Sequence, residues 1–341
     1  MSTRIPFYFF TAATLLLSAC AGNTPTPIET PGGEETTASP PTEEPASTST
    51  PEPSPEPFPE PEFLFEINPA DDPMNTPYGV ALDQGGNLYV NDAGNNRVLI
   101  FDSAGKLLSA WDTLGGGEGE FTSMGFGSIA VDSQGNVFVV DNGNFRIQKF
   151  DSGGNFLAAW GSEGTEDGQF VRAIGIAVDS QGNVFVTDDG NPYVQKFDND
   201  GVFLMKFGGE GRGDGEFQHA TGIAVDDAGN IFVADYQSRR VQKFDKDGNF
   251  LARWGLEKVG NGLSGTPEGL AVGLQGNVYI TDYLNGGVQV FSNQGEFLYA
   301  WGEAGSGEGQ FQRPTSLVIS GDGKVFIVNQ DNNNLVVYQL P

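Results

Sequence analysis

The stretch GNVFVVDNGNFRIQKFD, from Gly135 to Asp151, occurs three times along this chain in closely similar form. It returns as GNVFVTDDGNPYVQKFD at Gly182 and as GNIFVADYQSRRVQKFD at Gly229, 47 residues further on each time. A period of about 40 to 50 residues with several short strands per unit is typical of propeller blades, in which each repeat forms one small sheet. The repeat therefore predicts an all-β propeller.

The same unit extends along most of the chain. Each copy contains four short apolar segments, A to D, which in the third copy are IGIAVD, NVFVTD, YVQKFD and VFLMKF. Segment B is apolar at consecutive positions, so we expect neighbouring blades to cover both of its faces. Successive A segments end 49, 47, 47, 47 and 47 residues apart, at Asp83, Asp132, Asp179, Asp226, Gly273 and Ser320.

The count of segments indicates how the ring closes. Segments A, B and C occur six times, but D follows only the first five sets, and a D-like segment, EFLFEI at Glu62–Ile67, precedes the first A. An open array would leave unpaired strand edges. We therefore predict a six-bladed β-propeller over residues 62–341, built from four-stranded antiparallel blades and closed by an N-terminal strand that completes the last blade.

The N-terminus predicts export. The segment MSTRIPFYFFTAATLLLSAC has one basic residue, Arg4, followed by an apolar stretch that is too short for a stable membrane span, which is the profile of a signal peptide. Its end, LSAC at residues 17–20, resembles the bacterial lipobox. The resemblance implies a lipoprotein signal peptide at residues 1–19 and lipidation of Cys20, which two or more acyl chains would anchor stably. The alternative is an ordinary signal with an incidental cysteine.

The segment after this signal predicts a tether. Residues 21–61 contain twelve prolines and no lysine or arginine, and this composition cannot bury a core. We predict that residues 20–61 form the lipidated cysteine and a disordered linker rich in Pro, Thr, Ser and Glu. The protein is then expected at the bacterial cell membrane, on the outer surface or the periplasmic side, and attached to the bilayer through its lipid alone.

The propeller resembles a known repeat family. NRVLIFD, FRIQKFD and RRVQKFD, together with the glycine-rich loops GGGEGEF and GSGEGQF, resemble the NHL repeat over essentially all of residues 62–341. The third, fifth and sixth copies depart from it, with Tyr193, Gly287 and Asn334 where the pattern has arginine. The resemblance implies a six-bladed propeller, which agrees with the strand count.

The charge excludes one class of partner. The chain has 17 Lys plus Arg against 45 Asp plus Glu, a formal net charge of −28. The six links between segments D and A carry 15 acidic and 4 basic residues. Some proteins with NHL repeats bind RNA on a basic face, but here each phosphate contact would need a cation that is mostly missing. We expect no nucleic-acid partner.

The loops predict where a ligand would bind. The D-to-A links and the B–C turns share one end of the ring, and loops on a rigid frame are the usual binding surface. Aromatic and arginine side chains are the usual anchors of such a surface; the alternative for these positions is neutral variation. The candidates are the residues that break the repeat at this end: Tyr236, Tyr283, Arg239, His219, Arg172, Arg313 and Tyr193.

Carboxylates at the end of segment B have two interpretations. They could ring the channel mouth as a calcium site, as in six-bladed lactonases, which hold calcium with Glu, Asn and Asp. Alternatively, and preferably, they accept backbone N–H groups or pair with an arginine that begins segment C. The residues concerned are Asp92, Asp141, Asp188, Asp235 and Asp282, with Asn329 in the last copy.

The sequence favours a binding protein over an enzyme. No set of nucleophile, base and metal ligands is identifiable, and the single histidine cannot supply a histidine-rich zinc site. We expect a monomeric binding scaffold for an extracytoplasmic protein or glycan partner. The alternative is a calcium-dependent hydrolase or lactonase-like enzyme with its metal in the central channel.

Overall fold

The computed structural model describes residues 58–259, 263–273 and 275–341. The predicted signal peptide, Cys20 and nearly all of the predicted tether lie outside the described residues. In the described part, the chain forms six four-stranded sheets and two small two-stranded ones.

The first three blades follow one another along the chain after the initial strand, β1 (Glu62–Ile67). Blade 1 consists of β2 (Val80–Leu82), β3 (Leu88–Asp92), β4 (Arg97–Phe101) and β5 (Leu107–Trp111). Blade 2 consists of β6 (Ile129–Val131), β7 (Val137–Asp141), β8 (Arg146–Phe150) and β9 (Phe156–Trp160). Blade 3 consists of β10 (Ala173–Val178), β11 (Val184–Asp188), β12 (Tyr193–Phe197) and β13 (Phe203–Gly208).

The remaining blades repeat this order. Blade 4 consists of β14 (Ala220–Val225), β15 (Ile231–Asp235), β16 (Arg240–Phe244) and β17 (Phe250–Gly255). After the small pair β18 (Lys258–Val259) and β19 (Leu263–Ser264), blade 5 consists of β20 (Pro267–Val272), β21 (Val278–Asp282), β22 (Gly287–Phe291) and β23 (Phe297–Trp301). The small pair β24 (Glu303–Ala304) and β25 (Gln310–Phe311) precedes blade 6, which consists of β26 (Pro314–Ile319), β27 (Lys324–Asn329), β28 (Asn334–Gln339) and β1.

The blades form a closed ring. The strands of each blade are hydrogen-bonded antiparallel in the order A, B, C, D. The A strands contact one another around the ring, from β2 through β6, β10, β14, β20 and β26 back to β2. Short 3-10 helices occupy three of the B–C turns, at Ala93–Asn95, Asn142–Asn144 and Gln330–Asn332. No helix in the described residues has the length and apolarity that a bilayer crossing requires.

Repeated glycines let the inner strands approach closely. A Cβ atom on Gly175 would lie 2.3 Å from the carbonyl oxygen of Thr221 in the next blade, and one on Gly222 would lie 2.1 Å from that of Glu268. Both distances are far below van der Waals contact. A larger residue would therefore push neighbouring blades apart, since glycine marks the places where another backbone comes near.

Apolar side chains fill the gaps between blades. Of the seven clusters of buried residues in the described part, six each join two adjacent blades. All five residues of β7 are buried, as predicted for a strand that is covered on both faces. The phenylalanines that end strand C, such as Phe150 and Phe244, are at most 2% exposed. The all-β, six-bladed propeller is therefore confirmed.

Strand β1 closes the ring as predicted. It pairs antiparallel with β28, with Glu62 opposite Gln339 and Ile67 opposite Leu335. Ile67 is 2% exposed and belongs to the cluster between blades 6 and 1. Because β28 runs from the loop-rich end to the tight-turn end, Glu62 lies at the tight-turn end. The chain thus enters the propeller on the side opposite the loops.

Candidate functional site

A central channel runs between the innermost strands. Its cavity measures about 370 Å³ and is lined by residues of all six A strands, mostly aliphatic ones such as Val80, Ile129 and Ile223. The ionisable side chains on its wall, Tyr78 and Glu268, both lie at the loop-rich end. The chemistry of the channel is therefore concentrated at this mouth.

Three positions of the repeat recur at the loop-rich end. The inner position precedes the glycine or serine of strand A and is held by Tyr78, Gly127, Ile174, Thr221, Glu268 and Thr315. The middle position, two residues earlier, is held by Thr76, Gly125, Arg172, His219, Thr266 and Arg313. The outer position follows strand B and is held by Ala93, Asn142, Asp189, Tyr236, Tyr283 and Gln330. Backbone hydrogen bonds join the middle and outer positions of a blade, as where Tyr236 N donates to His219 O at 2.9 Å.

The inner position contains a buried acid. The hydroxyl of Tyr78 in blade 1 donates a hydrogen bond to Glu268 Oε1 in blade 5, and both residues are 5% exposed. Burial raises the pKa of Glu268 to about 7; the hydrogen bond from Tyr78 opposes this rise and the charge of Asp189 adds to it. Burial also raises the pKa of Tyr78, and Glu268 raises it further. The carboxyl of Glu268 can therefore gain or lose a proton near neutral pH.

Asp189 links two of the predicted residues. Its Oδ2 accepts a hydrogen bond from the guanidinium of Arg172, and its Oδ1 lies 3.6 Å from His219 Nδ1. The side chain of Asp189 is only 7% exposed, whereas those of Arg172 and His219 are 47% and 41% exposed. The carboxylate therefore sits below the two basic side chains.

Aromatic rings form another wall of the mouth. Tyr236 and Tyr283, from adjacent blades, make an edge-to-face contact with ring centroids 5.8 Å apart. The guanidinium of Arg313 lies over the Tyr283 ring, 5.8 Å from its centroid. Tyr78 and Phe126 make a similar edge contact at 5.5 Å. Such pairs stabilise the rings in fixed orientations.

These groups surround one cavity of about 160 Å³ above the channel mouth. Four of the seven predicted binding residues line it: Arg172, His219, Tyr236 and Tyr283. Arg313 lines an adjoining depression that shares Tyr283 and Phe126 with it. The structure thus brings five predicted residues together.

The other two predicted residues lie elsewhere. Tyr193 begins β12, and Lys206 of β13 stands over its ring at 5.1 Å. Arg239 is exposed in the B–C turn of blade 4, with a φ of 53°. Neither lines the cavity. Tyr193 begins strand C and Arg239 directly precedes it, and departure from the repeat pattern does not reveal that such positions are apart from the cavity.

The carboxylates that end strand B are buried in their own blades. Asp92, Asp141, Asp188, Asp235 and Asp282 are all 0% exposed. Asp141 illustrates their contacts: it accepts hydrogen bonds from Thr122 N at 3.3 Å, Arg146 Nε at 2.8 Å and Gln148 Nε2 at 3.0 Å. Burial raises the pKa of Asp188 even though four backbone N–H groups stabilise its charge. None of the five lines the channel or the cavity at its mouth.

The arginine that begins strand C extends this network into the loop. Arg240 Nε donates to Asp235 Oδ2 at 3.1 Å, and its other nitrogens donate to the carbonyl oxygens of Arg212, Gly213 and Glu216 at 2.7 to 2.9 Å. Arg146 makes the equivalent contacts in blade 2. The buried carboxylate and the arginine thereby hold the glycine-rich D-to-A link against its blade.

Sequence reasoning missed Glu268, Tyr78, Asp189 and Phe126. A usable signal existed for Glu268 and Tyr78, because the residue before the glycine of strand A is small or apolar in the other copies, or threonine. Asp189 follows the aspartate of strand B and could have been compared with Tyr236 and Tyr283 in the same way. Phe126 lies in a link whose length differs from the others, so alignment of the repeats gives it no counterpart.

The geometry defines a closed six-bladed propeller in which several residues that depart from the repeat lie together at one mouth of the channel. A family model described as 6-bladed beta-propeller matches residues 77–160, 164–259 and 272–341, which is more than half of the chain. The chain therefore belongs to the 6-bladed beta-propeller family. A comparison with curated proteins finds no match.

Solved structures with the same architecture are numerous. The chain is similar to a streptogramin B lyase, with 14% identity, a TM-score of 0.59 and coverage of 82% of this chain and 98% of that one. It is similar to a gluconolactonase from Xanthomonas campestris, with 17% identity, a TM-score of 0.59 and coverage of 84% and 99%. It is also similar to regucalcin, a calcium-binding protein from Agrobacterium tumefaciens, with 11% identity, a TM-score of 0.57 and coverage of 82% and 94%. At these identities the similarity establishes the fold alone.

Proposed function

We propose that this protein is an exported, lipid-anchored propeller of the NHL type that binds a protein or glycan partner at the loop-rich mouth of its channel. The observation that carries the proposal is the meeting of Arg172, His219, Tyr236 and Tyr283 around one cavity. These residues come from three blades and break the repeat. Aromatic and arginine side chains in a fixed pocket are the usual anchors of a binding surface.

The frame supports this role because it is rigid and closed. Small residues bring the inner strands together, and buried carboxylates hold the D-to-A links. A partner would therefore meet a surface that needs little ordering on binding, which lowers the entropic cost of association.

The point at which the chain enters the propeller also supports the role. Glu62 lies at the tight-turn end, because it pairs with Gln339 at the far end of β28. A tether from a lipidated Cys20 would thus attach opposite the mouth. The entering chain would then leave the mouth uncovered.

The experiment is affinity capture of envelope proteins and glycans with the full chain purified from membranes in detergent. We expect a partner that is retained by the wild type, lost when Tyr236→Ser and Arg172→Ala are combined, and kept by Asp200→Asn. Asp200 lies in a C–D turn at the opposite end, and its side chain is 88% exposed. Equal retention by all three proteins would contradict the proposal.

A second candidate function is a hydrolase or lactonase-like enzyme. Two observations favour it: the fold is similar to that of a gluconolactonase, and the carboxyl of Glu268 has a pKa of about 7 beside a cavity, which suits a general acid or base. Lactone hydrolysis by the wild type that Glu268→Gln abolishes would support this function.

The calcium of that alternative would have few carboxylate ligands among the described residues. Calcium takes six to eight oxygen ligands. Within the ranges described, no group of three or more His, Cys, Asp or Glu side chains is arranged to hold a metal ion. The carboxylates that end strand B are occupied by their own loops.

A further inference from the structure

One buried oxygen at the mouth receives no hydrogen bond from any described residue. Asp189 Oδ1 is inaccessible to solvent and unpartnered, and its side chain, 7% exposed, lines the cavity. His219 Nδ1 is the nearest basic atom, at 3.6 Å, which is too long for a hydrogen bond. A buried acceptor without a donor costs free energy. A ligand that brings a donor to this oxygen would remove that cost.

The two arginines of the mouth already have carboxylate partners. Arg172 donates to Asp189 Oδ2, and Arg313 Nε lies 3.3 Å from Asp331 Oδ2. Their charges are thus balanced locally. Among the described residues that line the cavity, Asp189 Oδ1 is left without a donor. The carboxyl of Glu268 has the donor Tyr78 and can accept further hydrogen bonds when it is ionised.

Most of the remaining lining is aromatic, and Ile174 and Thr221 complete it. Tyr78, Phe126, Tyr236 and Tyr283 all line the cavity. The faces of aromatic rings attract cations, and rings combined with a carboxylate suit an ammonium group. The cavity of about 160 Å³ has the size that accommodates about six heavy atoms. A lysine side chain beyond its Cα has five.

We propose that this cavity binds an ammonium group presented on a lysine side chain of a protein partner. On binding, the Asp189 carboxyl rotates so that Oδ1 meets the ammonium, which also donates to the carboxylate of Glu268. The methylene chain packs against the rings of Tyr236 and Tyr283. This inference rests on the proposed binding function and specifies its ligand. The acidic D-to-A links, together with the net charge of −28, would draw a cationic partner toward the mouth.

The test uses n-butylammonium as the lysine analogue, with n-butanol as a neutral probe and butyrate as an anionic one. Binding to the full purified chain is followed by ligand-detected NMR and calorimetry at low salt and above neutral pH. We expect butylammonium to bind at least about tenfold more tightly than either control. We expect Asp189→Asn to weaken it about 10- to 100-fold, because a hydrogen bond between charged groups contributes about 1.5 to 3 kcal/mol.

Matched variants distinguish binding at this cavity from general attraction to the negatively charged protein. Asp200→Asn makes the same change at the opposite end of the propeller and should alter the affinity less than about twofold. Tyr283→Leu removes one aromatic wall and should weaken binding about 2- to 30-fold. Thermal melting of each variant shows that it is folded. If Asp189→Asn does not fold, Tyr283→Leu still decides the question.

Three results would overturn the inference. The first is preferential binding of butyrate, which would assign the mouth to anions through its arginines. The second is equal binding of butylammonium by Asp189→Asn and Asp200→Asn. The third is binding of glucosamine in place of butylammonium, which would assign the cavity to an amino sugar. In each case, capture of a partner that depends on Tyr236 would leave the proposed function intact. Butylammonium binding without any captured partner would support the ammonium site and contradict the proposed function.

Discussion

Replacing Glu268 with glutamine tests whether the acid at the mouth couples stability to pH. Glu268 is 5% exposed, and burial raises its pKa from 4.5 to about 7. Glutamine has nearly the same shape and retains an oxygen that can accept the hydrogen bond from Tyr78. It cannot ionise, so the substitution removes the titration and leaves the contact.

The sign and size of the effect follow from this pKa. Because the folded protein holds the proton more tightly than the unfolded chain, the free energy of unfolding falls as the pH rises through the interval from 4.5 to about 7. Each pKa unit corresponds to about 1.4 kcal/mol, so the ionised carboxylate of Glu268 costs about 3 kcal/mol above pH 7. Glu268→Gln escapes this cost. Relative to the wild type, the variant should gain about 2 to 3 kcal/mol between about pH 5 and pH 8.

The assay is urea unfolding followed by tryptophan fluorescence across that pH range. Comparing the two proteins at each pH cancels the titrations that they share. Glu296→Gln, in an exposed C–D turn, makes the same chemical change and should leave the pH profile unaltered. If wild type and Glu268→Gln gave parallel profiles, the carboxyl would not be held in the environment described.

Three further predictions address the frame and the anchor. Ile67→Ala in the closing strand should lower the free energy of unfolding by about 2 to 5 kcal/mol. Leu108→Ala, at a position that is 50% exposed, should change it by less than about 0.5 kcal/mol. Equal effects of the two substitutions in urea unfolding would argue against closure by β1. Asp235→Asn leaves a buried arginine without its carboxylate partner and should lower the free energy of unfolding by about 3 to 5 kcal/mol. Asp282→Asn, in a blade with glycine at the arginine position, should lower the free energy of unfolding by only about 1 to 3 kcal/mol. A larger loss for Asp282→Asn than for Asp235→Asn would contradict the role of the carboxylate and arginine in holding the D-to-A link. Cys20→Ser should move the protein from the membrane fraction to the soluble fraction on immunoblots, and unchanged membrane attachment would refute lipidation.

The architecture could be predicted from the sequence because every blade buries the same pattern of apolar residues between its neighbours. The apolar run of strand B, such as VFVVD at Val137–Asp141, indicates a strand that is buried on both faces. The surplus segment Glu62–Ile67 and the missing last strand together predicted the closure. Strand bounds were less predictable. In blades 1 and 2 the A strands have only three residues, Val80–Leu82 and Ile129–Val131, whereas those of the other blades have six.

The candidate site was only partly predictable, since it depends on contacts across the ring. Departure from the repeat found Tyr236 and Tyr283, which meet because their blades are adjacent. It did not find the pair of Tyr78 and Glu268, which are 190 residues apart in sequence. Their contact requires the closed ring, because only closure brings blade 1 within reach of blade 5. A comparison of single positions between repeats does not show which residues of distant blades come into contact.

The repeated carboxylates of the frame and the variable residues of the mouth are joined through the backbone of the same loops. Asp188 Oδ1 accepts a hydrogen bond from Arg172 N at 2.8 Å, and Asp235 Oδ1 accepts one from His219 N at 3.2 Å. The repeated carboxylate therefore fixes the main chain of the residue whose side chain reaches the mouth. Since the carboxylate binds only backbone N–H groups there, the side chain at that position is free to differ between blades. A repeat of this kind can vary its mouth residues one blade at a time while the buried aspartate keeps each of them in place.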